Sequence, residues 1–413
     1  MFYGWKLSWT GFLGNLFLQG GGIFIMNALM EPLSLLHGWS RGTIGIIMAL
    51  SSLAGTLSMP VLGTLALHCS MRLLMIVGAI MGGVGYIMMG QTSSPALFTL
   101  SFASVWIGGQ ACGGVIANAL VCNWFIRFRG RAFGVVNMGT SMSGVVLPLT
   151  ALILVRSFSV PVATAFIGCG VLMILLPLCL LFVRDTPEQT GLAPDGLPAQ
   201  KNGEQGSSHA VFIPWKDLLR NPECYRVGLI FGLGIMMAAG VVGQLKPRFS
   251  DLGFNDYTAM AFMCLAAFCG AMGKFLWGWV SDILTPLRTT KLIIICNILG
   301  LSVAFLPANI YTALLFAVYS GGCVGGFWAV FPNAVAYVFG RDRFVSVYRF
   351  ASAFVSIKAL GYYVMGMIYE HTHSYDGAYA FFIGMMVLAF ILLLFVRDPA
   401  RASRPGQAVG HGS

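Results

Sequence analysis

FMCLAAFCGAMGKFLWGWV, residues 262–280, and FASAFVSIKALGYYVMGMI, residues 350–368, decide how this chain is read. Each is apolar over the ~20 residues that a helix needs to cross a hydrocarbon layer. Each is interrupted near its middle by one lysine, Lys274 in the first and Lys358 in the second. A charge at the bilayer centre costs roughly 2.5–3.5 kcal/mol on insertion scales, so an ammonium there must face a cavity or a partner. The carboxylates of Asp282, Glu223, Glu31 and Glu370 all fall near segment ends. Two cations at membrane depth without carboxylates read as a receptor for an anionic ligand.

The rest of the chain agrees with a membrane setting. Of 413 residues, 57% are hydrophobic and 9% charged, and mean hydropathy is +0.82. Soluble chains carry about 25% charged residues. A transmembrane barrel needs ~10-residue alternating strands, and none are seen. The fold class expected is an all-α polytopic membrane protein with twelve transmembrane helices in two six-helix pseudo-symmetric bundles. The spans fall at about 8–30, 43–66, 72–90, 95–121, 132–155, 160–183, 224–246, 256–281, 290–308, 310–339, 346–369 and 375–396. The first run extends from Lys6 to about Leu29, too long for a 7–15-residue leader core, and reads as a membrane helix. The ten cysteines form no CxxC pair and read as small packing residues. Paired acids, a Ser/His/Asp set and metal-ligand clusters are all missing at membrane depth. The chain is therefore read as no enzyme, with no cofactor and no metal site.

Charge orients the spans. Assigning alternate loops to one side gathers Lys6, Arg72, Arg127, Arg129, Arg131, Arg184, Arg288, Arg341, Arg343, Arg349 and Arg397 together, while the other side receives Arg41, Arg156, Lys246 and Arg248. By the positive-inside rule the first side is cytoplasmic, with both termini there. The expected location is the cell inner (plasma) membrane. The +10 net charge follows from this topology, and a nucleic-acid partner is not called for. The longest polar stretch lies between spans six and seven and is rich in Pro, Gly, Gln and Ser, a linker composition. It divides the chain into an N-terminal bundle at 1–183, a cytoplasmic linker at 184–222, a C-terminal bundle at 223–398 and a cytoplasmic tail at 399–413. PWKDLLRNPE, residues 214–223, is expected to form a short helix before span seven. Pro32 and Pro247, Gly38 and Gly253, and Gly63 and Gly278 each differ by 215, and Arg127 and Arg341 differ by 214. A constant offset of this kind marks a parallel repeat of two halves around a central site.

On these residues the chain resembles the major facilitator superfamily. Its loop pattern G-x-L-a-D-r-x-G-x-R is matched by Gly63-Thr64-Leu65-Ala66, after which Leu67 stands where the aspartate is expected; the second copy, Gly278-Trp279-Val280-Ser281-Asp282, keeps it. Within the superfamily the chain resembles the oxalate/formate antiporter and monocarboxylate transporter group. The residues carrying this are PLSLLHGWSR at 32–41, NWFIRFRGRAFGVVNMGTSMSG at 123–144, WAVFPNAVAYVFG at 328–340 and the two lysines. The resemblance implies a span-eight cation for the substrate carboxylate, here Lys274, and a span-eleven cation, here Lys358. It also implies an aspartate one turn before the span-eight cation in proton-coupled members, where this chain has Gly270. Lysine offers a point charge and lacks the planar fork of arginine, so a looser grip on the anion follows.

The function expected is secondary active transport of small organic anions of monocarboxylate type by alternating access, either proton-linked or by anion exchange. Lys274 and Lys358 are expected to bind the carboxylate. Asn118, Gln244, Trp328 and Tyr362 are candidate cavity-lining residues; Tyr362 follows Lys358 by four positions and shares its helix face. Asn15, Gln19 and Asn27 form either a polar stripe facing the cavity or an interhelical hydrogen-bond ladder. Asp282, Arg127, Arg131 and Arg341 are expected to gate the cytoplasmic side through Arg–Asp pairs. The expected partners are a carboxylate substrate, protons as a co-substrate, and the lipid bilayer. Two other readings stand beside this one. A drug or metabolite exporter of the same superfamily would be expected to carry an acidic residue at membrane depth, and a non-transporting membrane sensor would be expected to carry an output domain.

Overall fold

The computed structural model describes residues 2–196, 211–307 and 309–399, and within them the backbone is almost wholly helical. The expected linker segment 197–210 and the tail 400–413 lie outside the described residues, as do the side chains of Asn27 and Arg41. Eleven helices among the described residues are long and apolar enough to cross a membrane: α2 (Gly42–Leu65), α3 (Met71–Gln91), α4 (Pro95–Trp124), α5 (Arg129–Ser157), α6 (Val160–Phe182), α7 (Pro222–Gly243), α8 (Tyr257–Leu284), α9 (Pro286–Phe305), α10 (Ile310–Phe339), α11 (Phe344–Thr372) and α12 (Asp376–Leu394). A broken twelfth precedes them, α1, made of Tyr3–Phe24 and Ala28–His37 bent by 55°. The first span thus begins earlier than expected, and it continues as helix through PLSLLH. Of the expected linker helix, Trp215–Arg220 is helical.

The 215-residue repeat is written in the backbone. Gly38 and Gly253 both stop a helix with positive φ, +68° and +86°, a conformation that glycine adopts without steric cost. Two residues later each half caps its next span with a side chain. Ser40 Oγ accepts from the Thr43 N–H at 3.1 Å, and Asn255 Oδ1 accepts from the Thr258 N–H at 2.8 Å. The break expected between spans nine and ten is also a cap: Asn309 Oδ1 accepts from the N–H groups of Tyr311 and Thr312.

The fourth helix of each half is broken at mid-span. Regular helix lapses in α4 at Gly113–Gly114 and in α10 at Cys323–Gly325. A break in an apolar medium frees carbonyls that must find other donors. Asn15 Nδ2 donates to Gly113 O at 2.8 Å, and Trp277 Nε1 donates to Gly322 O at 2.9 Å. Paired interruptions at corresponding places in two halves point to a central site.

The halves meet along two seams on the side that carries the linker. Helix α5 lies so close to α8 that a Cβ on Gly278 would stand 2.2 Å from Gly130 O, and a Cβ on Gly134 would stand 2.9 Å from the Cα of Phe275. Helix α2 meets α11 in the same way, Gly63 against the side chain of Arg349.

Candidate functional site

Lys274 is 6% exposed. Its stem rests on the α10 break, its Cγ 3.4 Å from where a Gly325 Cβ would stand. No hydrogen bond or ion pair holds its ammonium among the described residues. Trp328 lies three residues beyond Gly325 in α10 and is half-buried. Lys358 follows a six-residue stretch of tight i→i+3 turns, Ser352–Ile357, which breaks the regular helix of α11. Its Nζ sits 5.5 Å from the ring centroid of Trp106, on α4 of the other half. Like Lys274, it has no carboxylate within ion-pair distance among the described residues. A cation over an indole is held by about 0.5–2 kcal/mol, depending on desolvation, and keeps its charge available to a ligand.

The other expected lining residues divide. Tyr362, 49% exposed, turns to the end of α7, where a Cβ on Gly243 would meet its ring at 2.5 Å. Gln244 is the next residue after Gly243 and is half-buried at that helix end. These two therefore belong together, on a different neighbour from the Lys358 ammonium. Asn118 does not stand free to line a cavity. Its Nδ2 donates to Tyr348 Oη at 3.1 Å, and its Oδ1 is 3.5 Å from Asn137 Nδ2. Tyr348 is on α11, ten positions toward the linker side from Lys358, so Asn118 ties the halves together roughly 15 Å from that lysine. Asn15 is likewise a hydrogen-bonded joint: it also donates to Val136 O at 2.7 Å and accepts from Thr140 Oγ1 at 3.2 Å. For Asn15 the ladder alternative holds.

On the linker side Asp282 is the pivot. Its carboxylate accepts from the N–H groups of Gly130 and Arg131 at 2.6 and 3.0 Å, at the N-terminus of α5. Arg131 Nε lies 3.6 Å from it. An anion suits a helix N-terminus, where unpaired N–H groups and the helix dipole converge. Arg127 and Arg341 do not join this pair as expected. The Arg127 guanidinium lies over Phe128 while the Arg127 backbone N–H donates to Asp195 Oδ2 at 2.8 Å, and Arg341 reaches Glu188 at 3.8 Å.

At the α2–α11 seam Leu67 stands in the aspartate position, and no carboxylate takes its place among the described residues. Arg349 supplies its polar joint instead. Fully buried, it donates to Thr64 Oγ1 at 3.0 Å and to Ile213 O at 2.5 Å, with Phe212 and Trp215 against its guanidinium. By sequence position Arg349 groups with the loop charges, and Trp106 is one aromatic in an apolar run. The Gly63-Thr64 motif itself was the available signal for Arg349, since a motif lacking its aspartate needs another partner.

The chain has known relatives. The Major Facilitator Superfamily model matches residues 12–356 and 251–411. The chain is 23% identical over 289 residues to the glycerol-3-phosphate transporter of Bacillus subtilis (strain 168), covering 66% of this chain and 63% of that protein, less than two thirds of its length. It is 23% identical over 479 residues to monocarboxylate transporter 9 of Mus musculus, covering 95% of this chain and 92% of the relative. Among solved structures, the transporter FucP in the outward conformation superposes with a TM-score of 0.73 at 14% identity, covering 96% of this chain and 99% of that one. With the two-half helical fold, these matches lead to one conclusion: the chain belongs to the Major Facilitator Superfamily and is a multi-pass membrane protein.

Proposed function

We propose that this protein is a transporter of small organic anions of the monocarboxylate type, with Lys274 and Lys358 as the cations that receive the carboxylate. The observation that carries the reading is Lys274, 94% buried at mid-span with no counter-charge among the described residues. An ammonium left in that state is costly, and an arriving anion relieves the cost. At an effective dielectric of ~20, a carboxylate 4 Å from an ammonium gains about 4 kcal/mol before desolvation, enough to favour anions over neutral analogues. Relatives named for glycerol 3-phosphate and for monocarboxylates are both named for anions. Alternating access fits the two seams: they close the linker side, and separating them opens the lysines to that side. The excess of Lys and Arg there makes it the cytoplasmic side of the cell membrane.

Protein reconstituted into liposomes tests this. Uptake of labelled monocarboxylates is expected to saturate and to be blocked by other carboxylates more strongly than by glycerol 3-phosphate, sugars or amines. Saturable uptake of amines or neutral sugars with no carboxylate uptake would refute the reading. The coupling has two forms. An inward proton gradient drives uptake if a proton enters with the anion, and internal unlabelled substrate drives it if the carrier exchanges anions. Strict sodium dependence with no response to either driving force rules out both.

A further inference from the structure

The start of α1 and the end of α6 lie side by side on the linker side, where Tyr3 Oη donates to Phe182 O at 2.8 Å. Between them runs an open groove of about 260 Å³, many times what a single water or ion needs. Its walls are Lys6, Trp9, Thr10 and Leu13 of α1 and Leu178 and Phe182 of α6. The Thr10 hydroxyl is spent inside its own helix, donating to Lys6 O at 2.9 Å. Leu13 lies seven residues beyond Lys6, roughly 10 Å deeper at the helical rise, and Leu178 lies four before Phe182, roughly 6 Å deeper. The groove is thus apolar along its depth and charged at its mouth. Trp9, Leu180 and Leu181 beside it are exposed, as side chains that a span turns toward hydrocarbon are.

Lys6 marks the mouth. Its Nζ lies 5.4 Å from the centroid of the Tyr3 ring and 5.2 Å from that of Phe182. The side chain is exposed, and no carboxylate comes within ion-pair distance of it among the described residues. Two rings attract an ammonium and hold it in place without neutralising it. A lysine that only reaches for water at a membrane surface needs no such seat.

We propose that this groove seats one phospholipid of the linker-side leaflet with an anionic headgroup, its phosphate on Lys6 and an acyl chain along Trp9, Leu13, Leu178 and Phe182. The site lies on the flank of the N-terminal half and does not involve the two buried lysines. Charge selects the headgroup. A zwitterionic lipid offers the same phosphate but brings a cation of its own, which the Lys6 ammonium repels. Free phosphate finds one lysine and leaves the apolar wall empty. Only an amphiphile uses both parts of the groove. The linker side also carries the excess of Lys and Arg, which places the groove in the leaflet where a cell membrane keeps its anionic lipids.

Native mass spectrometry of the full chain in detergent, given equal amounts of dioleoyl phosphatidylglycerol and dioleoyl phosphatidylcholine, reads the occupant directly. The wild-type protein is expected to retain one phosphatidylglycerol about fivefold over phosphatidylcholine, the value of one lysine at an anionic surface. Lys6→Gln should bring that ratio close to one while either lipid still binds. Leu178→Trp fills the groove from α6 and should lose both lipids together. Lys216→Gln removes an exposed cation of the same side that does not line the groove, and should leave the ratio standing. Excess inorganic phosphate should displace neither lipid. The ratio is read from folded protein alone, so a poorly folding variant lowers the signal and not the ratio. A wild-type ratio near one, or a ratio that survives Lys6→Gln, overturns the site. So does an equal fall in Lys216→Gln, which would mean that the basic side gathers anionic lipid diffusely, and so does lipid retention that Leu178→Trp leaves unchanged.

Discussion

At the scale of single residues, the two lysines differ in what surrounds them, and their substitutions should differ accordingly. Lys274 has no described partner, so Lys274→Gln removes a charge that nothing in the resting protein uses. Expression should stay near wild type and stability should not fall, because an uncompensated buried ammonium is a liability to the fold. Carboxylate uptake should drop at least tenfold, a loss of about 1.4 kcal/mol or more of anion binding. Lys358→Gln loses the contact with Trp106 as well, so it should cost a small amount of stability alongside transport. Wild-type uptake by both variants would show that the lysines are structural. Arg349 is the opposite case: buried, it is hydrogen-bonded across the seam to Thr64 and to Ile213 O in the segment before α7, so its substitution is expected to act on closure and not on the substrate.

At the scale of helices, the α5–α8 seam is built from absent side chains and one carboxylate. Gly278→Ala places a methyl 2.2 Å from Gly130 O, backbone that has no rotamer to move. It should hold the linker side apart and lower transport at least tenfold without unfolding the bundle. Asp282→Asn acts on the same seam electrostatically. It exchanges a carboxylate that accepts two N–H bonds for an amide, and hydrogen bonds to a charged group are worth roughly 1.5–3 kcal/mol each. Cys122 reports the result, for it is fully buried one turn beyond Asn118 on α4. Its alkylation by N-ethylmaleimide, followed by peptide mass spectrometry to separate it from the other cysteines, should accelerate about tenfold or more in both variants. Unchanged labelling with lowered transport would mean that these residues act elsewhere than at closure.

At the scale of the whole molecule, the charge bias predicts an orientation that labelling can read. Cys69 is exposed in the α2–α3 loop on the linker side, and Ser93 is exposed in the α3–α4 loop on the other. In intact cells, a membrane-impermeant maleimide should modify a Ser93→Cys variant at its new cysteine and leave Cys69 untouched until the membrane is breached. The reverse pattern would invert the topology and with it the side that the two seams close.

The sequence by itself determined the membrane, the number of spans, the two halves and the two cations, for a shared physical reason. An apolar medium cannot hydrate backbone or charge, so each span must be long and apolar, and each lysine within one stands out against nothing. The repeat was legible because Gly38 and Gly253 stop helices by the same left-handed turn, a local property of glycine. Only the tertiary structure decided what those residues touch. Asn118 was a polar residue in an apolar span either way; its engagement with Tyr348, 230 positions along the chain, is what makes it a joint and not a lining residue. Arg349 was counted with the loops because a charge near a span end is ordinary, and its burial depends on Thr64 and Ile213 arriving from elsewhere. Lys6 carries only the signal of a charge before a span. It stands out because packing brings Phe182 to its ammonium from the far end of the same half, and that is a fact about neighbours in space, which a single chain of letters does not contain.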